Sequence, residues 1–357
     1  LTLPVVITEQ GETLVDPTDA ELAATLGLTT TPSGDFYDLV VIGGGPAGLA
    51  AAVYGASEGL KTVLIERTAT GGQAGQSSRI ENYLGFPDGL SGSQLAERAR
   101  RQAEKFDAEL ITAAEVKRLE IDGNARTVHL SDGRSIGTRA VILAMGVEYR
   151  QLSAEGCEGL TGAGVYYGAN ASVAAECDDD EVYVIGGANS AGQAAMFLSR
   201  TAKSVTIVSR RTLEDSMSHY LIQQIRAQDN IKELPNTVVH AVKGDGHLEG
   251  ICLENTRTGG REEFNCGRMF IFIGAEPRTD WLDGVVVRDD HGFIVAGPDL
   301  RDVSGWTLDR PPHHLESSVP GVFVAGDVRA ESAKRVAAAV GEGSMAVMLV
   351  HRYLAET

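Results

Sequence analysis

Two stretches of this chain, beginning at Phe36 and at Glu181, follow one pattern: apolar strand, glycine-rich turn, alanine-rich helix, second apolar strand. They read FYDLVVIGGGPAGLAAAVYGASEGLKTVLIER and EVYVIGGANSAGQAAMFLSRTAKSVTIVSRR. Strands joined through a helix pair in parallel, and such crossovers are right-handed. The pattern therefore predicts an α/β fold with two Rossmann-type, three-layer nucleotide-binding domains. Glycine supplies 42 of the 357 residues against 11 prolines. That excess suits turns where backbone approaches a ligand or another element.

In the first turn, Gly43-x-Gly45-x-x-Gly48 follows the strand directly. Gly43 permits the tight turn, Gly45 lets a pyrophosphate reach the backbone, and Gly48 lets helix and strand pack closely. The helix N-terminus then faces the phosphates with free N–H groups and a favourable dipole. Glu66 ends the second strand, 23 residues after Gly43, where a carboxylate accepts hydrogen bonds from a ribose. The second turn, Gly186-Gly187-Ala188-Asn189-Ser190-Ala191, puts a methyl at Ala188 where the pyrophosphate would approach. Its following strand ends at Ser209, and Arg210 and Arg211 come where Glu66 stands in the first unit. Guanidinium groups there suit the 2′-phosphate of NADPH, and the missing acid disfavours NADH. A solvated basic turn is the plainer alternative.

Composition narrows the rest. Lys plus Arg number 31 and Asp plus Glu 49, a formal charge of −18, so no basic surplus exists to engage nucleic acid. No apolar run reaches the roughly 18–20 residues of a membrane-spanning helix, and LTLPVVITEQ has no basic region of a signal peptide. Cys157, Cys177, Cys252 and Cys266 are too few and scattered for a disulfide scaffold, which makes a cytoplasmic setting the expectation. His313 and His314 have no third ligand in view, so no metal site is expected. His219 reads as a surface histidine, with cofactor contact as the alternative. Residues 1–34 read as strand, turn, strand and helix followed by a polar linker. In that segment Asp16 is placed to cap the helix, Pro17 to fill its first turn and Gly27 to end it.

From about Asp35 to Glu356 the chain resembles the low-molecular-weight thioredoxin reductases, FAD- and NADPH-dependent flavoenzymes of the pyridine nucleotide–disulfide oxidoreductase class. The resemblance rests on VIGGGPAGLAAA, GGQAGQSSRIENYLGFP, RAVILAMGVEYR, VFVAGDVR and KRVAAAVGEG, in that order. It implies FAD contacts from Gly43, Gly45, Pro46, Ala47, Gly48, Glu66 and Arg67, and from Gly72, Gln73 and Asn82 in a flavin loop. It places backbone of Glu115 and Val116 at the adenine, Ala144 and Gly146 at a crossover, and Gly326 and Asp327 at the ribityl–phosphate side. Lys334, Arg335 and Val336 fall where the family's last helix meets the isoalloxazine ring. NADPH is implied for Gly186 to Ala191, Ser209, Arg210, Arg211 and Gly274. The implied order is an FAD domain over 35–150, an NADPH domain over 151–279 and the rest of the FAD domain over 280–357, in a homodimer.

One departure changes the chemistry. Where thioredoxin reductases carry Cys-x-x-Cys after a GV-x-Y segment, this chain reads GVYYGANAS, with Gly168 and Ala171 at the cysteine positions. Neither forms a thiolate, so the dithiol relay from flavin to thioredoxin is expected to be missing. Cys177 is a weak substitute, and whether it pairs with Cys157 is open at this point. Tyr166 and Tyr167 are candidates for covering the flavin face or for plain core packing. The segments match best the reductase portion of bacterial fusion proteins, which shares the missing dithiol. Residues 1–34 are similar to the tail of a thioredoxin-like fold plus a linker. The expected activity is hydride transfer from NADPH to FAD and onward to an external acceptor, a small molecule or a redox protein. The alternatives are a ferredoxin- or flavodoxin-NADP reductase-like enzyme, disfavoured by the charge, and a non-catalytic flavin- or NADPH-binding regulatory module, disfavoured by Arg210 and Arg211.

Overall fold

Leu39, Val41, Val40 and Ile42 alternate between two hydrophobic clusters on opposite faces of the strand Phe36–Ile42. A strand apolar on both faces belongs at the centre of a covered sheet, and the computed structural model places it there. It describes residues 5–8, 11–77, 80, 83–168, 177, 180–300, 306 and 308–357. Contacts divide the chain into two units, Leu1–Glu148 with Glu276–Thr357, and Tyr149–Ala275. The segment before residue 35 groups with the first of these.

The first unit has a seven-stranded sheet. Glu109–Ile111, Thr62–Ile65, Phe36–Ile42 and Ser135–Leu143 run parallel in that order, and Val322–Val324 pairs in parallel with Ser135–Leu143. The nine-residue strand Ser135–Leu143 has two partners along one edge. Its first half pairs antiparallel with Ala125–Leu130, and its last three residues pair with Val322–Val324. Ala125–Leu130 and Val116–Asp122 form an antiparallel flap. One cluster packs the sheet under the helices Pro46–Ser57 and Val336–Glu356, and the other packs it under the flap and residues 282–296. Helix, sheet and flap are the three layers.

In the second unit five parallel strands lie in the order Val165–Tyr167, Arg268–Ile271, Glu181–Ile185, Ser204–Val208, Ile231–Leu234. Helices Asn189–Leu198 and His219–Arg226 cover one face. The antiparallel strands Thr237–Lys243, Gly250–Asn255 and Arg261–Asn265 supply side chains to the cluster on the other.

At the N-terminus Val5–Ile7 and Thr13–Val15 form an antiparallel hairpin before the helix Asp19–Thr25. The helix cap is not Asp16, which sits at φ 50. Thr18 caps it, in a reciprocal capping box with Glu21, and Pro17 lies outside the first turn. A Thr three residues before Glu offers two bonds, where Asp16 would offer one.

The strand Val322–Val324 is held by a buried charge. Glu316, fully buried, accepts hydrogen bonds from Arg310 Nη1 at 2.7 Å, His313 N at 2.9 Å and Gly321 N at 2.9 Å. Arg310 also pairs with Glu356 near the end of the last helix. Removing the carboxylate leaves two N–H groups without their acceptor and takes one of the two carboxylate partners from Arg310. Glu316→Ala is therefore expected to destabilise the first unit by about 3–5 kcal/mol, read as a lowered urea midpoint. An unchanged midpoint would show that this cluster carries none of the strand's stability.

Candidate functional site

Register brings the signature residues of each unit to one sheet edge. In the first unit Ile111, Ile65, Ile42, Leu143 and Val324 are aligned across five parallel strands. The residues that follow them are Thr112, Glu66, Gly43, Ala144 and Ala325, the last leading into Gly326 and Asp327. Ligands of parallel α/β sheets bind beyond this carboxyl edge.

The three fingerprint glycines meet different surroundings. Gly43 has φ +105, and a Cβ there would come 2.4 Å from the Ala144 carbonyl oxygen. At Gly48 a Cβ would lie 1.8 Å from the Gly43 oxygen, closer than any side chain tolerates. Gly45, the helix N-cap, has nothing within 4 Å on that side, so its backbone is open to a ligand. Pro46 opens the helix and Ala47 is buried beneath it.

Beside this turn lies a cleft of about 480 Å³ lined by Gly43, Glu66, Arg67, Glu115, Val116 and Met145, with Glu148, Arg278 and Trp281 across from them. Its size and mixed lining fit the adenosine half of a dinucleotide. Glu66 Oε2 accepts the Gly44 N–H at 2.6 Å and Oε1 accepts the Thr68 N–H at 2.9 Å. The backbone thus fixes the carboxylate before any ribose arrives. Arg67 and Arg278 both bond to Glu148. Ala144 is buried, and Gly146 turns at φ +64.

At the other end of the fingerprint, Gly72 adopts φ +54, and a Cβ there would stand 3.1 Å from Gly45 Cα. Gln73 Oε1 is buried with no partner, and so is Ser332 Oγ in the loop between Asp327 and the last helix. Burial pushes the Asp327 carboxyl up, while the nearby Lys334 ammonium pulls it down. Lys334, at φ +48, lies over the Phe293 ring at 4.2 Å, and Arg335 caps the helix that begins at Val336. Asn82 lies outside the described residues. An open helix N-terminus, a fixed acid, an adenosine-sized cleft and two orphaned buried polar atoms together fit FAD. When bound, FAD supplies two-electron chemistry; the chain supplies its placement.

The second unit repeats the scheme. Tyr167, Ile271, Ile185, Val208 and Leu234 are aligned at the strand ends, so Gly168, Gly186 and Ser209 share one edge. Gly186, φ +145, would place a Cβ 2.3 Å from the Phe272 oxygen, and Gly187 faces Ser209. Ala188 is the N-cap of the helix and, with Asn189 and Ser190, is exposed, whereas Ala191 is buried. The Ala188 methyl thus stands in the open rather than in the core. Ser216 Oγ donates to the Gly187 oxygen at 2.9 Å, and Asn189 Oδ1 accepts the Ser218 N–H at 2.7 Å, tying residues 216–218 to the turn. Arg210 and Arg211 are exposed, and so are His219 and Gly274. A mobile anion partner suits that arrangement.

Gly168 follows its strand at φ +86, and a Cβ there would stand 3.6 Å from the Tyr149 hydroxyl, whose phenol is pushed up by burial. Ala171 is outside the described residues. All four cysteines are buried thiols. Cys157 and Cys177, whose pairing the sequence leaves open, belong to different clusters on opposite faces of the second sheet and are not placed to pair. Burial raises the Cys157 thiol, and it takes Cys266 to about 12. Tyr166 stacks on Phe270 at 5.5 Å, and the Tyr167 hydroxyl accepts the Leu152 N–H at 2.9 Å. Both are held by the core.

Sequence reasoning missed Ser332, Glu148 and the pair Arg329–Glu342 behind the Gly326–Asp327 turn. A signal existed for the last: Glu342 is the only charged residue in the run VAAAVGEGSMAVMLV.

The chain matches the profile of the family described as pyridine nucleotide-disulphide oxidoreductase over residues 37–343. It is 36% identical to a thioredoxin reductase of Mycolicibacterium smegmatis, over 90% of this chain and 97% of that one. It is 35% identical to the thioredoxin reductase of Bacillus subtilis, over 90% and 95%. Among solved structures, thioredoxin reductase of Lactococcus lactis superposes with a TM-score of 0.75 at 30% identity, covering 90% of this chain and all of that one. That of T. acidophilum gives 0.73 at 28%, covering 90% and 99%. Two nucleotide-edge sites on two Rossmann-type units and this kinship agree: the chain belongs to the pyridine nucleotide-disulphide oxidoreductases, in the thioredoxin reductase line of NAD(P)H-dependent flavin enzymes that use FAD and NADPH.

Proposed function

We propose that residues 35–150 and 280–357 hold FAD and residues 151–279 hold NADPH, and that the enzyme passes a hydride equivalent from NADPH through FAD to an external acceptor without a Cys-x-x-Cys dithiol. The observation that carries the second half is Gly168, a left-handed glycine at the sheet edge where a relay cysteine would stand. The acceptor is a small molecule or a redox protein that takes electrons from the flavin directly. Gly45, Gly72 and the helix N-termini orient the dinucleotide, Glu66 takes the ribose, and Asp327 takes the ribityl–phosphate stretch. The loop Gly186–Ala191 cradles the pyridine nucleotide, with Ser209, Arg210 and Arg211 on its 2′-phosphate. Asn82 and Gly274 complete the proposed contacts. A cytoplasmic homodimer is the proposed setting, and among the described residues no helix is long and apolar enough to cross a membrane.

The purified protein is expected to be yellow, or to become so on incubation with FAD. A protein that gains no flavin absorbance ends the reading.

NADPH should reduce that flavin faster than NADH. Arg210 and Arg211 are exposed, so their bonds to a 2′-phosphate form only with the nucleotide, at about 1–3 kcal/mol. R210A with R211A should abolish the preference in stopped-flow reduction. Equal rates in the unmutated protein would refute the assignment.

Little or no NADPH-dependent reduction of thioredoxin is expected, alongside turnover with quinone-like or one-electron acceptors. Changing Cys157, Cys177, Cys252 and Cys266 to Ala should leave that turnover nearly intact. Alanine is chosen because all four positions are buried and a serine hydroxyl would lack a partner. A variant that keeps FAD but loses all turnover would reveal a thiol relay.

A further inference from the structure

Glu342 lies in the second turn of the helix Val336–Glu356 and turns its carboxylate toward the end of the strand Val322–Val324. Its Oε2 accepts the Gly326 N–H at 2.7 Å. Its Oε1 accepts Arg329 Nε at 3.1 Å and Nη2 at 2.5 Å. The side chains of Arg329 and Glu342 are only 14% and 16% exposed. The turn between them is closed by Arg329 N–H on the Gly326 oxygen at 3.0 Å, and Arg329 Nη1 reaches the Ala330 oxygen at 2.8 Å.

Backbone bonds hold both flanks of this turn, with the Ala325 N–H on the Leu143 oxygen at 3.0 Å and the Ile294 N–H on the Val328 oxygen at 3.0 Å, and Glu342 takes the N–H of Gly326 between them. Gly326 sits at φ +79, where glycine has wide freedom, and the side-chain direction of the next residue, Asp327, follows from that backbone. An N–H donated to a carboxylate, as Gly326 donates to Glu342, is the strong kind of restraint. The backbone next to this acid packs on the first fingerprint. Gly343, its neighbour, packs so close to the helix Pro46–Ser57 that a Cβ there would stand 2.2 Å from the Ala47 oxygen. Gly326 meets the same helix, its Cβ position lying 2.9 Å from Ala47 Cβ. One acid therefore sets the Gly326–Asp327 turn in register with both the phosphate-facing helix and the last helix.

We propose that Glu342 is a positioning residue for FAD: through Gly326 and Arg329 it fixes Asp327 for the ribityl–phosphate stretch without touching the cofactor. The proposal rests on the FAD reading of the first unit. Glu342→Asp keeps a charge beside Arg329 but withdraws the carboxylate from Gly326. Glu342→Gln keeps an acceptor for Gly326 and loses the charge. Glu342→Ala removes both.

The test is FAD titration of the flavin-stripped full chain, followed by flavin fluorescence, with thermal melts of each variant with and without FAD. E342D and E342A are expected to raise the FAD Kd about tenfold or more, and E342Q to stay within about threefold. The flavin-free melt of E342D should stay near wild type while its FAD-dependent rise in Tm shrinks. A merely structural residue would lower both melts together and leave the rise and the Kd unchanged, which overturns the proposal. Should E342A fail to fold, E342D decides alone. If wild type binds FAD and E342D binds it equally well, only this proposal falls. If wild type binds none, the cofactor reading falls and takes this one with it.

Discussion

Parallel strand register is the constraint on which the rest depends. In the first unit Ile111, Ile65, Ile42, Leu143 and Val324 lie side by side. Segments more than 200 residues apart in sequence, Gly43 and Gly326, thereby end on the same edge. A slip of one residue in any of these strands would turn its apolar side chains to the opposite cluster. Because both faces are packed, the hydrophobic core enforces the alignment of the site. Core and site are one specification, and the binding residues need only follow the strands.

This explains what was legible in the sequence. The two fingerprints are local: strand, glycine turn and helix lie within some 30 residues, and each glycine has a steric reason to be there. Gly43 and Gly48 are forced by a carbonyl at 2.4 Å and 1.8 Å from their missing Cβ atoms. The three-layer architecture followed from the same segments. Illegible features are those made by distant pairs. The lone acid in its apolar run marks Glu342 itself but not its partners Gly326 and Arg329, and nothing near Glu148 points to Arg67 and Arg278. The Asp16 error is of another kind. Two cap candidates stood two residues apart, and the reciprocal bond from Glu21 decides for Thr18. Cys157 and Cys177 were inseparable until the sheet stood between them.

Two carboxylates stand at the ends of the strand Val322–Val324. Glu316 holds the entrance of Val322–Val324 through Gly321, and Glu342 holds its exit through Gly326. Each is paired with an arginine and each also takes a backbone N–H. Replacing such a pair with apolar groups need not cost stability, since desolvation offsets much of the attraction. What an apolar pair would lack is a direction for the N–H. The short strand that delivers Gly326 and Asp327 is placed by its pairing with Val141–Leu143, and carboxylates at both ends fix the backbone where it enters and leaves.

The second unit shows how the same edge can be conserved while its chemistry changes. Gly168 and Gly186 follow strands that both pair with Arg268–Ile271. The sheet still delivers a residue at 168, but at φ +86, a conformation a cysteine adopts only with strain, and beside the Tyr149 hydroxyl. A cysteine at 168 would therefore carry backbone strain. Restoring Cys-x-x-Cys by two substitutions would meet an unfavourable backbone at the first position. On the proposed reading, an acceptor that takes electrons from the flavin directly fits this position better than one that needs a thiol at 168.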